Sequence, residues 1–139
     1  MSGSERFALD SSVLLFGYFA GRTGRIDQLM KNSFLNLVTL SETLYVICRI
    51  DGIERASSYI EKCARETTVA PSERVAPLAG GMKCRFPISL ADCWTLATGK
   101  VFDVPCLFAF RESEILRTLD LIRQEVQIKF LDELESSSE

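Results

Sequence analysis

The sequence predicts an α/β fold, a parallel sheet covered by helices on both faces. Two observations carry this. Short apolar runs of strand length alternate with amphipathic stretches whose apolar residues recur at helical spacing. The 139 residues, 47% hydrophobic and 25% charged, suit one domain over 1–139, with its core over about 6–131 and a polar tail over 132–139.

The elements follow in order. "RFALD" (6–10) is a short apolar run that reads as a buried strand. "SVLLFGYFAG" reads as a helix closed by Gly21, and "RIDQLMKN" (25–32) has helical spacing. "FLNLVTL" (34–40) predicts a second strand. "SETLYVICRIDG" then aligns Leu40, Leu44, Ile47 and Cys48 on one helical face and ends at Gly52. "IERASSYIEKCARE" does the same with Ile53, Ala56, Ile60 and Cys63. "TTVAP" (67–71) is a third strand, and "SERVAPLAGGMKCR" a helix damaged by Pro77 and by Gly80-Gly81. "SLADCWTLATGKV" (89–101) aligns Leu90, Trp94, Ala97 and Val101. "VPCLFAF" (104–110) is a fourth strand. "SEILRTLDLIRQE" is a helix carrying Ile115, Leu119, Ile122 and Val126, "QIKFL" (127–131) a fifth strand, and "ELESSSE" a frayed tail.

Composition removes several function classes. There is no histidine, which excludes Ser-His-Asp and Cys-His nucleophiles, His-ligated zinc and His acid–base chemistry. The five cysteines are odd in number and none stands at zinc-ligand spacing, so they read as reduced buried thiols. No apolar run approaches a membrane span, and "MSGSERF" lacks a signal-peptide layout, so a cytoplasmic protein with no membrane partner is expected. A net charge of −3 does not by itself advertise nucleic-acid binding, but a local patch or a bound cation can serve.

The acids supply the chemistry. In parallel α/β sheets the working crevice lies at the carboxyl ends of the strands. Asp10 ends the first strand amid Ala8, Leu9, Val13, Leu14 and Leu15. Glu42 follows the second predicted strand, Asp92 opens the helix at 89, and Glu112 and Glu114 follow the fourth strand. Each has a second explanation. Asp10 reads equally as an N-cap. Thr39-Leu-Ser-Glu42 and Ser89-Leu-Ala-Asp92 both fit a capping box. Glu112 and Glu114 fit a solvated helix start. Gathered at one mouth, however, ionised carboxylates a few ångströms apart repel by roughly 4 kcal/mol per pair at an effective dielectric near 20. Such a cluster persists by binding protons or cations, and oxygen-only donors select hard ions, Mg²⁺ or Mn²⁺.

"LDSSVLL" (9–15) resembles the opening motif of PIN domains, "VTLSETLYVICR" (38–49) their second motif, and "PISLADCWTLATG" (87–99) their third. The resemblance spans roughly residues 6 to 131 in the family order and is nearest to the prokaryotic toxin nucleases of VapC type. It implies a three-layer α/β/α fold with sheet order 3-2-1-4-5. It also implies a metal-dependent endoribonuclease in which Asp10, Glu42 and Asp92 hold Mg²⁺ or Mn²⁺ and Ser12 orients the first acid or a water. Hydrolysis of the phosphodiester would leave 5′-phosphate and 3′-hydroxyl ends. The fourth motif departs from the family: "AFRESEI" (109–115) aligns Glu112 and Glu114 with two aspartates, puts Phe110 in place of a hydroxyl residue, and sets Arg111 beside the pair as a possible neutralising charge.

The resemblance further implies a cognate antitoxin, often inserting an Arg or Lys into the acidic site, and a homodimer. RNA contacts fall to Arg22, Arg25, Arg49, Lys83 and Arg85, each otherwise a solvated charge. The competing expectation is a PIN-like protein without catalysis, acting as an RNA-processing or protein-interaction scaffold. Two other folds with a strand-end Asp fit poorly. A phosphotransfer receiver needs an acidic pair ahead of its acceptor and a late Lys. A haloacid-dehalogenase-like phosphatase needs a second Asp where Ser12 stands.

Overall fold

Phe7, Ala8 and Leu9 are fully buried because their strand is the middle of the sheet. In this computed structural model, which describes residues 5–137, β1 (Ala8–Leu9) pairs in parallel with β2 (Phe34–Leu35) and β4 (Cys106–Phe108). β3 (Thr68–Val69) flanks β2 and β5 (Ile128–Phe130) flanks β4, so the order is β3-β2-β1-β4-β5, as expected, and every pairing is parallel.

Alternation along the strands divides the core. Ala8, Cys106, Phe108, Ile128 and Phe130 face one cluster, while Phe7, Leu9, Leu35 and Leu107 face the other. On the first side lie α5 (Ser72–Arg85), α6 (Leu90–Phe102) and α7 (Ser113–Ile122). The second side receives α1 (Ser11–Ala20), α2 (Gly24–Lys31), α4 (Ile53–Glu66) and α8 (Leu131–Ser137). α3 (Leu37–Asp51) contacts α1, α4 and α6. Gly21 and Gly52, at φ 96° and 91°, close α1 and α3 in a region that disfavours side chains with a Cβ. α6 lies tight on β4 at Gly99, where a Cβ would sit 2.4 Å from Cys106 Sγ.

Four expectations change. The second strand stops at Leu35, not at residue 40: Asn36 Oδ1 accepts from Thr39 N at 2.8 Å and starts α3. The apolar run through Leu37, Val38 and Leu40 has no period that separates strand from helix. The segment 72–85 is one continuous helix. Pro77, Gly80 and Gly81 lie on its exposed side, where water reaches the carbonyl that Pro77 cannot serve, while Val75, Ala79 and Met82 hold the buried side. The tail is helical through Ser137, with Leu131 and Leu134 buried; residues 138–139 lie outside the described residues. Finally, only Cys63, Cys93 and Cys106 are buried thiols, Cys48 being half-buried and Cys84 exposed. Among the described residues no helix is long and apolar enough to cross a membrane.

Candidate active site

The carboxyl ends of β1, β2 and β4 open into a cavity of about 270 Å³. Asp10, Glu42, Asp92, Glu112 and Glu114 all line it, with Ser11, Ser12, Ser89 and Tyr45 among them. The strands converge these acids from segments far apart in the chain. A larger concavity of about 410 Å³ near Gly99, Pro105 and Glu125 lies at the opposite edge of the sheet, so chemistry rather than size singles out the acid cavity.

Asp10 both caps and faces the cavity. It is the N-cap of α1, with Oδ2 accepting from Ser12 N at 3.1 Å. Its other oxygen accepts from Thr95 Oγ1 at 3.0 Å. The residue is only 4% exposed. Burial pushes its carboxyl up to about 6; the bonds from Ser12 and Thr95 restrain the rise and the Glu42 charge adds to it. Ser12 is tied down as well, its Oγ accepting from Ala109 N at 2.9 Å. It thus holds Asp10 from its backbone and stitches α1 to the end of β4.

Glu42 is not a capping-box residue. Asn36 performs the cap, and Glu42 sits in the second turn of α3, where Ser11 Oγ donates to Oε1 at 2.6 Å. Asp92 keeps part of its capping geometry: Ser89 caps α6 by accepting from Asp92 N at 3.1 Å. Its carboxyl nevertheless points into shared space. Burial first, then the Asp10, Glu112 and Glu42 charges, push it up to about 7 against the restraint of Ser89. Glu112 is the N-cap residue of α7 with no capping bond from its side chain, and Glu114 lies in the first turn. Arg111 does not neutralise them; it pairs with Asp132 and, at 3.8 Å, with Glu133, and lies over the Phe130 ring.

The basic residues do not gather there. None of Arg22, Arg25, Arg49, Lys83 and Arg85 lines the cavity. A helix that follows a parallel strand runs back toward the other edge, so Arg22 and Arg25, beyond α1, are carried away from the acids. Arg22 is 12% exposed and pairs with Glu66 at 2.9 Å and Asp27 at 2.8 Å. Arg25 bonds to the Leu134 carbonyl and Arg85 pairs with Glu125. Lys83 donates to the Ile88 carbonyl at 2.8 Å. Arg49 alone borders the site indirectly, 4.9 Å above the Tyr45 ring. Ser11 and Thr95 were not anticipated. Their one signal is position: Ser11 follows Asp10, and Thr95 stands one helical turn after Asp92.

A hard divalent cation fits this donor set. The lining acids offer oxygen only, and two of them are held toward the protonated form, a strain that a cation would relieve. Among the described residues no three acids or cysteines are drawn into a closed ligand set. Mg²⁺ keeps several waters and takes one or two carboxylates directly, which suits an open arrangement.

This is an acid-lined cavity at the carboxyl edge of a PIN-like α/β/α sheet. The chain is similar in fold to a chain in the crystal structure of DNA-bound VapBC from Salmonella typhimurium, at TM-score 0.69 and 15% identity over 91% of this chain and 97% of that one. It is similar to a chain of VapBC2 from Rickettsia felis bound to a promoter DNA fragment, at TM-score 0.64 and 9% identity over 90% and 98%. VapBC-1 from nontypeable Haemophilus influenzae gives TM-score 0.61 and 16% identity over 90% and 97%. No protein-family model and no curated protein matches the sequence.

Proposed function

We propose that this chain is a Mg²⁺- or Mn²⁺-dependent endoribonuclease and the toxin half of a cytoplasmic toxin–antitoxin pair. The observation that carries it is the convergence of Asp10, Glu42, Asp92, Glu112 and Glu114 on one cavity of a PIN-like sheet. The VapBC complexes of the same fold support the antitoxin partner, and a homodimer is the expected state of the free toxin.

Asp10, Asp92 and Glu42 would hold the cation, with Glu112 and Glu114 as further ligands on the β4 side. When bound, the cation supplies water activation and charge neutralisation at a phosphodiester. The chain's own part is placement. Thr95 and Ser12 fix both oxygens of Asp10, and Ser11 fixes Glu42. Asp92, raised first by burial and then by its acidic neighbours, would give up its proton on taking the cation.

The test is titration of Mn²⁺ into metal-free protein, wild type against Asp10→Asn, with cleavage of a mixed single-stranded RNA followed in the same samples. Saturable binding and metal-dependent cleavage, both lost in the variant, are expected. Absence of binding in the wild type would leave Asp10 as the N-cap of α1, and Glu42 and Asp92 as acids held by Ser11 and Ser89 without a cation. The scaffold alternative would then lead; one observation favours it, the lack of a closed ligand set among the described residues.

A further inference from the structure

Beside the acid cavity lies a second concavity, about 350 Å³, walled by Leu37, Val38, Tyr45 and Ala91 and sharing Glu42 and Tyr45 with the first. Its character is different. Leu37 is 54% exposed and Tyr45 45%, about two turns apart on α3. The guanidinium of Arg49 lies 4.9 Å over the Tyr45 ring, and among the described residues Arg49 has no carboxylate partner. The ring is thereby braced by a cation that remains available to a phosphate.

We propose that this concavity is a nucleobase subsite: it takes one unpaired base of the RNA strand, stacked on Tyr45, next to the phosphate that the acids address. The inference rests on the ribonuclease reading above. Three features argue for a base. The walls are largely apolar and partly aromatic, as a π-face requires, and Ser41 adds a hydroxyl residue to the lining. The concavity adjoins the acid cavity, with Glu42 and Tyr45 lining both, which puts the two within reach of one strand. Among the described residues no basic side chain lines the acid cavity, so apart from the cation little positive charge holds the strand there, and a base contact adds grip. A duplex cannot use the subsite, because its bases are stacked inward.

The experiment measures binding by fluorescence anisotropy in Mn²⁺. The probe is a labelled, phosphorothioate-linked single-stranded RNA of mixed sequence, compared with an abasic strand of the same length and charge. Wild type is expected to hold the base-bearing strand about tenfold tighter or more. Tyr45→Ala should lose that preference and Tyr45→Trp keep it, with Leu121→Ala, at a distant exposed site, as control. Thermal melts check that each variant folds. Undiminished preference in Tyr45→Ala overturns the subsite and leaves the ribonuclease reading standing, as does equal wild-type binding of the two strands. No binding of either strand by the wild type overturns both.

Discussion

Thr95 Oγ1 donates to Asp10 Oδ1 at 3.0 Å across 85 residues of sequence, linking the middle of α6 to the end of β1. The bond lies in the buried floor of the acid cavity, and it decides which way the Asp10 carboxylate faces.

Thr95→Val removes that donor while keeping the shape. We expect a loss of about 1–2 kcal/mol in urea unfolding, because Asp10 Oδ1 is left without its partner. Mn²⁺ affinity should fall about tenfold, as for other residues that orient a ligand. Thr95→Ser should restore both. An unchanged Mn²⁺ isotherm in Thr95→Val would remove the positioning role.

The raised acids set a pH dependence of definite sign. The carboxyls of Asp10 and Asp92 stand at about 6 and about 7 against an ordinary 3.8, so the native chain binds more protons than the unfolded one between about pH 4 and 7. Their contribution to stability is complete below about pH 4 and is lost as pH rises through 6 and 7. In EDTA, the melting temperature should therefore rise as pH falls from 8 to 5, and the Asp10→Asn, Asp92→Asn double variant should lose the rise. Glu125, lowered by Arg85, acts with the opposite sign and only below its ordinary range. With Mn²⁺ present, affinity should fall as protons compete below about pH 7.

Arg22→Ala should behave as a structural lesion. The guanidinium joins Glu66 and Asp27 at the far end of α1. A stability loss of about 2 kcal/mol is expected from severed charged hydrogen bonds, with RNA affinity per folded molecule unchanged. A selective loss of RNA binding without loss of stability would place Arg22 in the interface after all.

Gly99→Ala tests the seat of α6. The added Cβ would meet Cys106 Sγ at 2.4 Å and the Val104 carbonyl at 2.9 Å. Urea titration should show a destabilisation of about 1–3 kcal/mol, as for an overpacked core. A neutral result would mean that α6 shifts freely over β4.

The acids were legible because a strand-end rule needs only local sequence: Asp10 and Glu112 follow apolar runs, and Asp92 follows a Ser that caps a helix. The basic residues were not, because their partners are remote. Arg22 meets Glu66 and Arg85 meets Glu125, each about forty positions away. β2 was read too long because Leu37 and Val38 are as apolar as Phe34 and Leu35, and only the Asn36 cap separates them. Thr95 is not legible because a neutral hydroxyl carries no charge pattern, though it stands one turn from Asp92 on the same helix. The sheet order came from the family resemblance; periodicity alone identified strands without ordering them.

Ala8 is aligned at once with Phe34 on one side and Cys106 on the other, and Asp10 begins two positions later. One register therefore governs both the greasy interior and the acid mouth. Adding or deleting a single residue between Phe7 and Asp10 would turn Leu9 toward the wrong layer and swing the carboxylate off Thr95 in the same step. A change of length in front of Asp10 would therefore strike the core and the acid cavity together, because one spacing sets both.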